Sequence, residues 1–474
     1  MAGTGRLGKA RLTAYGAFTI PLGVAGLPVA IYVAPVYTDH VGLGLTVVGL
    51  AIMATRLLDI VIDPLIGRLS DSTRSRWGRR VPWILAGVPV MMLGTWQTFM
   101  PGPDASALGL FVWLSVFYLG WAMIVVPYAA WGAELSPDYH ERSRISGSRE
   151  LFSVIGLLFA VTFPLFVRPD SLAEITDRAA LETAAIVSDV EALGWATIIL
   201  LPLLTIILIR FVPVSSAPAE DVPFTRQLFR ETLRNRPFML LLAGTFLAGL
   251  STGMNQTTVI HYYRYRAALG DQADVMIFYF FLAAVAGSFF WVWVGRHFAK
   301  HRVVAISSVI ALVASLAILL VPAGDVTGFT LIQLATGFAY AGPLILGASM
   351  AADVIDLDWL RSGFQRGAMF IAFWGIGKKL SEAVGVGIGL PLMEAMGFSP
   401  ATAYTDAGQW ALIVVNVLLP AVFALAAIPF ILAYPITEAR QRVIRAALDR
   451  RIGRQARAAA HAAEESEVIL EAVR

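Results

Sequence analysis

Only 15% of the 474 residues are charged and 57% are hydrophobic, against about 25% charged in soluble domains, so a water-soluble fold is excluded. The formal net charge of +3 and an isoelectric point near 9.1 carry no nucleic-acid signal. No cysteine is present, which excludes disulfides, thiolate catalysis and Cys-ligated metal.

Apolar runs of about 20 residues predict twelve membrane spans. In chain order they are 13–37, 45–67, 82–100, 107–134, 148–168, 193–213, 237–260, 273–297, 303–322, 327–351, 367–396 and 409–433. The first has no small-residue cleavage site before the second, so it reads as a span and not as a signal peptide. Of the 36 Lys and Arg residues, 29 fall on one side of these spans and 4 on the other. By the positive-inside rule both termini are then cytoplasmic. The remaining three cations, Arg56, Lys378 and Lys379, lie inside spans.

The second span holds the most informative cluster. Arg56, Asp59 and Asp63 are spaced by three and four, so they project from one helix face. A carboxylate at membrane depth is costly and marks an ion or substrate path. Two carboxylates and one cation at one depth read as a coupling-ion site, the alternative being a structural ion-pair cluster.

Residues 214–236 form a polar linker, which divides the chain into an N-terminal bundle (1–213) and a C-terminal bundle (237–433). The halves are weakly self-similar. Gly67-Arg68 after span two matches Gly295-Arg296 after span eight, and Pro127 to Arg149 matches Pro343 to Arg366. Parallel six-span repeats are the architecture of major-facilitator transporters, with substrate held at the midplane between the halves. The expected fold is therefore an all-α membrane protein of twelve transmembrane helices in two six-helix bundles. The basic tail, 434–474, reads either as an amphipathic helix on cytoplasmic headgroups or as a solvated tail.

Six scattered histidines offer no metal-ligand spacing, and His261 reads as an interfacial polar residue. No Walker or GxGxxG loop occurs, so no cofactor or ATP-driven step is expected. The cytoplasmic side repeats a charge pattern: Glu134, Glu141, Arg142 and Arg144 against Asp353, Asp356, Arg361 and Arg366. These are expected to form an inner gate of ion pairs between the halves in the outward-facing state, or else to be solvated loop charges.

Arg56-Leu57-Leu58-Asp59 through Asp63-Pro64-Leu65-Ile66-Gly67 leads into Asp71-Ser72-Thr73-Arg74-Ser75-Arg76-Trp77-Gly78-Arg79-Arg80, with Pro82-Trp83 beyond. Tyr37-Thr38-Asp39, Pro127-Tyr128, Ala133-Glu134-Leu135-Ser136-Pro137, Ala352-Asp353 and Lys379-Leu380 add to the pattern. The chain resembles the glycoside–pentoside–hexuronide:cation symporters, the melibiose permease family, over about residues 13–433. The resemblance implies proton- or sodium-coupled uptake of a sugar or glycoside by alternating access, with no covalent chemistry. It places Asp59 and Asp63 at the cation-site carboxylates and Lys379 at the lysine that reaches them from the other half. It places Arg149 at an arginine lining the sugar pocket. Other readings stay open: Lys379 paired with Glu382, Lys378 as the functional lysine, or Arg149 as an anchor beside Glu150. Trp121, Tyr128, Trp131 and Trp374 suit either stacking on a sugar face or packing. Asn255 and Gln256 suit either substrate binding or bonds across helices.

The departures from the family pattern bear on the substrate. Two pocket aspartates of melibiose-type members align with Pro21 and Val125, a neighbouring aromatic with Ala129, and a sodium-binding threonine with Ala122. A pocket with Arg149 and Lys379 but without those aspartates is net positive, which favours an anionic sugar acid. Loss of the threonine oxygen favours a proton over Na⁺. The expectation is an inner-membrane, monomeric symporter whose partners are a small-molecule substrate and the bilayer, with no metal beyond Na⁺ at Asp59 and Asp63. A lysophospholipid-like amphiphile is the alternative substrate, and a non-transporting sensor the alternative role. An apolar lateral opening between spans two, five, eight and eleven would favour the amphiphile, and an enclosed polar cavity a sugar.

Overall fold

A computed structural model describes residues 7–102, 104–136, 138–170, 172, 175–176, 178–213, 226–270, 272–363, 366–451 and 453–454. These residues form helices and connections, with no strand among them. Twelve long helices account for the bundle. In the first half they are α1 (Lys9–His40), α2 (Leu45–Ser72), α3 (Val81–Phe99), α4 (Ala107–Glu134), α5 (Tyr139–Val167) and α6 (Arg178–Phe211). In the second they are α7 (Arg236–Arg266), α8 (Gln272–Gly295), α9 (Lys300–Leu320), α10 (Val326–Ser362), α11 (Gly367–Ala395) and α12 (Asp406–Leu432). Among the described residues ten helices are long and apolar enough to cross a membrane; α3 and α11 are not among the ten. In α11 the pair Lys378 and Lys379 with Glu382 interrupts the apolar run.

Several helices extend past their predicted spans, and the extensions are charged. The first turns of α6 carry Glu182, Asp189 and Glu191, which end the apolar run in the sequence. Two of these are nevertheless buried, Asp189 against Arg168 and Glu182 with its backbone carbonyl on Arg264. In α1 the prolines 21, 28 and 35 recur every seven residues, and wide turns occur at Pro28–Tyr32 and Val36–His40. A proline removes one backbone donor and lets the helix loosen there.

The packing repeats between halves. Helix α1 packs on α5 and α6 as α7 packs on α11 and α12. Helix α4 packs on α2 and α3 as α10 packs on α8 and α9. The halves meet where α2 lies on α11, where α5 touches α8, and where the outer part of α1 reaches α7. With lipid outside, the apolar effect supplies little force between spans, so close backbone contact at small residues does the packing. Helices α8 and α10 show this reciprocally: a Cβ on Gly337 would overlap the Phe280 carbonyl, and one on Gly287 the Phe338 carbonyl.

Two flanking segments complete the chain. Residues 214–225 of the expected linker lie outside the described residues, and Arg226–Leu233 is a short helix ahead of α7. Residues 438–451 of the tail are helical, and 455–474 lie outside the described residues. The headgroup expectation for this tail is corrected over the helical part. Ile444 and Leu448 are buried in the second half's core, Arg451 donates to the Leu360 carbonyl at 3.2 Å, and Gln441 donates to Asp356 at 3.0 Å. Ile444 and Leu448 on the tail helix thus pack on the protein, while Val443 stays exposed.

Substituting Gly337→Leu should destabilise the protein by about 1–3 kcal/mol, because the α8–α10 crossing has no room for a side chain. Thermal unfolding in detergent should show a lowered midpoint, and an unchanged midpoint would contradict the close contact.

Candidate functional site

Helix α2 presents Asp59 toward α11, where it is 3% exposed. One turn on, Asp63 is half-buried on the same face. From the other half, α11 supplies Lys379, whose ammonium donates to Oδ2 of Asp59 and Oδ2 of Asp63, each at 2.6 Å. This contact requires α2 and α11 to run close together. Gly49 against Leu390 and Pro391, and Gly387 against Met53, provide that approach. A second ion pair crosses at the same level, Arg56 Nη1 to Glu382 Oε2 at 3.8 Å. The Arg56 guanidinium also lies 5.4 Å from the centroid of the Tyr118 ring on α4. Lys378, half out to solvent, sits 3.9 Å from Glu382 Oε1.

The site thus gathers three carboxylates and three cations, formally neutral in total. An isolated charge there would be strongly unfavourable, and each partner lowers that cost. Two carboxylates bridged by a single ammonium can exchange it for a proton or an alkali cation. Among the described residues no cluster of three or more His, Cys, Asp or Glu is arranged to hold a metal ion.

The other residues singled out in the sequence are dispersed. Arg149 is half-buried and donates to Glu150 at 2.7 and 3.2 Å. The Tyr128 hydroxyl donates to the Tyr15 carbonyl at 2.6 Å and its ring stacks on Tyr15 with centroids 4.5 Å apart. Trp131 is buried with its indole N–H on the Pro213 carbonyl at 3.0 Å. Trp121 packs on Phe117, and Trp374 donates to Thr245 at 3.1 Å. Asn255 bonds across helices to Asn416 at 3.3 Å, while Gln256 makes no hydrogen bond among the described residues.

The charges expected to gate the cytoplasmic side, Arg361 apart, find partners in their own half. Arg144 pairs with Glu141 at 2.6 Å, Arg142 donates to the Ser136 carbonyl, and Glu134 holds Arg79 and Arg80. Asp353 pairs with Lys300 at 2.7 Å, Asp356 with Arg445 at 3.3 Å, and Arg366 with Asp358 at 2.9 Å and with Glu231. Arg361 pairs with none of the described residues. At this basic end no ion pair among the described residues joins the halves.

The opposite end differs. Asp39 at the end of α1 meets His261 at 3.4 Å and Arg264 at 3.3 Å, and the Tyr265 hydroxyl donates to it at 3.1 Å, all from α7. Arg168 bridges Asp189 on α6 and Asp274 on α8 at 2.6 and 2.7 Å, and the Tyr32 hydroxyl donates to Asp274 at 2.8 Å. These buried contacts seal that end between the halves. They were missed in the sequence, where His261 reads as merely interfacial. The available signal was the scarcity of cations on that side: two of its four, Arg168 and Arg264, are in the seal.

The chain matches the model of the family described as MFS/sugar transport protein over residues 14–438. It belongs to that family. It is therefore a multi-pass membrane transporter of the major facilitator type and not an enzyme. An uncharacterized symporter of Synechocystis is 24% identical, covering 92% of this chain and 96% of that protein. A sphingosine-1-phosphate transporter of Xenopus tropicalis is 23% identical, covering 82% of this chain and 80% of that one. In fold the chain is similar to a bacterial homologue of the lysosomal transporter Spinster, with TM-score 0.64, 15% identity, and coverage of 89% and 97%.

Replacing Arg168→Ala would leave Asp189 and Asp274 facing each other without their cation. Opening of this end should become easier by about 3 kcal/mol, on the order of a hundredfold in population. Spin labels at Asp104→Cys and Tyr404→Cys, convenient in a cysteine-free chain, should report longer distances; an unchanged distribution would contradict the seal.

Proposed function

We propose that this transporter is a cation-coupled symporter for a small anionic substrate, working by alternating access with Asp59 and Asp63 as its coupling-ion site. The observation that carries the reading is the Lys379 ammonium lying 2.6 Å from both carboxylates. In this arrangement the lysine occupies the place of the coupling ion. A proton or Na⁺ arriving at the pair competes with it, so ion occupancy changes how the halves are joined. The basic end is assigned to the cytoplasm of the inner membrane by its positive charge. With the opposite end sealed by Asp39–Arg264 and Arg168–Asp274, this arrangement corresponds to the inward-facing carrier.

Substrate class is read from which polar groups are tied into the core and which cations stay partly exposed. Tyr128, Trp131 and Trp374 have their polar hydrogens engaged within the protein, as does the amide nitrogen of Asn255, which makes them poor hydroxyl partners. Arg149, Lys378 and Lys379 are partly exposed cations near the ion site's level or the start of α5. Pro21 and Val125 supply no acceptor. A hydroxyl-rich neutral sugar is poorly matched, and a carboxylate-bearing sugar or glycoside is well matched. A second reading, an anionic amphiphile, has its own support. Leu151 and Ile155 near Arg149, and Ile371 on α11, are exposed apolar side chains, and the sphingosine-1-phosphate transporter is similar over most of the chain.

Uptake of a labelled hexuronide into proteoliposomes, driven by an inward proton gradient without sodium, tests the first reading. Accumulation should occur in the native protein and fall by at least about 100-fold in Asp63→Asn, since the carboxylate is needed to carry the ion. If folded protein accumulates nothing until sphingosine-1-phosphate replaces the sugar acid, the amphiphile reading takes its place.

A further inference from the structure

Glu382 is a carboxylate at the ion site that the sequence reading gave no transport role. Its side chain is 16% exposed, yet among the described residues it makes no hydrogen bond. Among the described residues its only ion-pair partners are distant ones, Arg56 at 3.8 Å and Lys378 at 3.9 Å. Four acceptor positions on a carboxylate are therefore largely unused. It lies three residues beyond Lys379 on α11, within side-chain reach on one helix face. On α2 two buried atoms are also without partners, Arg56 Nε and Asp59 Oδ1. These two residues are again three apart on one face.

We propose that Glu382 is the alternate partner of the Lys379 ammonium, so that ion binding at Asp59 and Asp63 exchanges three ion pairs between the halves for two pairs within them. The inference rests on the reading of Asp59 and Asp63 as the coupling-ion site. An ion that takes up both carboxylates must expel the ammonium between them. Without another acceptor that ammonium would be left unpaired at membrane depth, and the cost would oppose ion binding. Glu382 accepts it within one helical turn. Arg56, released from Glu382, then turns its Nε to Asp59 Oδ1, which satisfies both unpartnered atoms.

The consequence is mechanical. In the structure, Lys379–Asp59, Lys379–Asp63 and Arg56–Glu382 all tie α2 to α11. After the exchange, Lys379–Glu382 lies within α11 and Arg56–Asp59 within α2. The ion-bound carrier thus loses its ionic tether between the halves at this level. The groups facing Glu382 are Arg56 from α2, Lys378 and Lys379 on its own helix, Tyr118 from α4 and Tyr340 from α10. Asp59 and Asp63 stand behind Lys379. On the α7 side the contact is the backbone at Gly253, which carries no charge. Glu382 is a positioning residue: it acts on the ion through Lys379.

The test uses the full chain in nanodiscs with spin labels at Leu69→Cys and Ile371→Cys, on the basic ends of α2 and α11. Na⁺ is titrated at pH 8, and pH is titrated without Na⁺, reading the ion concentration that gives half the distance change. In Glu382→Gln that concentration should rise at least about tenfold, and in Glu382→Asp by less, since a shorter carboxylate still offers a partner. In a Lys379→Gln background, adding Glu382→Gln should change it less than about twofold, because no ammonium remains to be received. An equal shift in both backgrounds would mark Glu382 as merely structural and overturn the proposal. An unshifted Glu382→Gln beside a responsive native protein would overturn it too, leaving the ion site standing. A native protein that responds to neither ion would overturn the ion-site reading and this proposal with it.

Discussion

Lys379 reaches from one half of the molecule to two carboxylates of the other, in a part of the chain that a bilayer surrounds. Hydrocarbon cannot solvate any of the three charges, so they are tolerable there only in company. The need for company decides much else. It requires α2 and α11 to approach at Gly49 and Gly387, and it places Arg56 and Glu382 alongside. Under the proposed function the pair is also responsive, because a small cation that satisfies the carboxylates would displace the lysine. A site held together by charge alone can be rearranged by charge alone.

Around that point the molecule is asymmetric. One end is closed by buried ion pairs between halves, through Asp39 with Arg264 and Arg168 with Asp274. At the basic end the charges are comparably numerous but turned inward, each half pairing its own, as Glu134 does with Arg80 and Asp353 with Lys300. The gate expected at the basic end would require these residues to exchange their present partners for ones across the halves. Alternating access needs this kind of bistability, since rigid bundles can exchange partners without repacking their cores.

How much of this was legible in the sequence follows from how membrane protein sequences encode cost. Charges inside an apolar run stand out, which is why Arg56, Asp59, Asp63 and Lys379 were visible and why the motif after α2 pointed to the family. The repeat of the halves was visible through matched loops such as Gly67-Arg68 and Gly295-Arg296. What escaped notice was charge at the ends of spans, where a solvated and a buried residue look alike. The first turns of α6, with Glu182 and Asp189, read as loop because nothing local reveals that Arg168 and Arg264 will cover them. Aromatics were ambiguous for the complementary reason: Tyr128 and Trp131 suit a sugar or a core equally, and only their bonds to the Tyr15 and Pro213 carbonyls show them engaged in the core. The tail helix, left open between headgroups and solvent in the sequence, packs Ile444 and Leu448 on the second half, since an apolar stripe does not say which apolar surface it meets.

The claim on which the rest depends is that Lys379 and the coupling ion compete for one pair of carboxylates. The most direct measurement is a structure of the full chain determined at saturating coupling ion, beside one without it. The Lys379 ammonium should leave both Asp59 and Asp63 when the ion is bound and return to hydrogen-bond distance when it is removed. An ammonium that stays on both carboxylates in the ion-saturated protein would contradict the claim, and the pair would be a structural clamp between the halves.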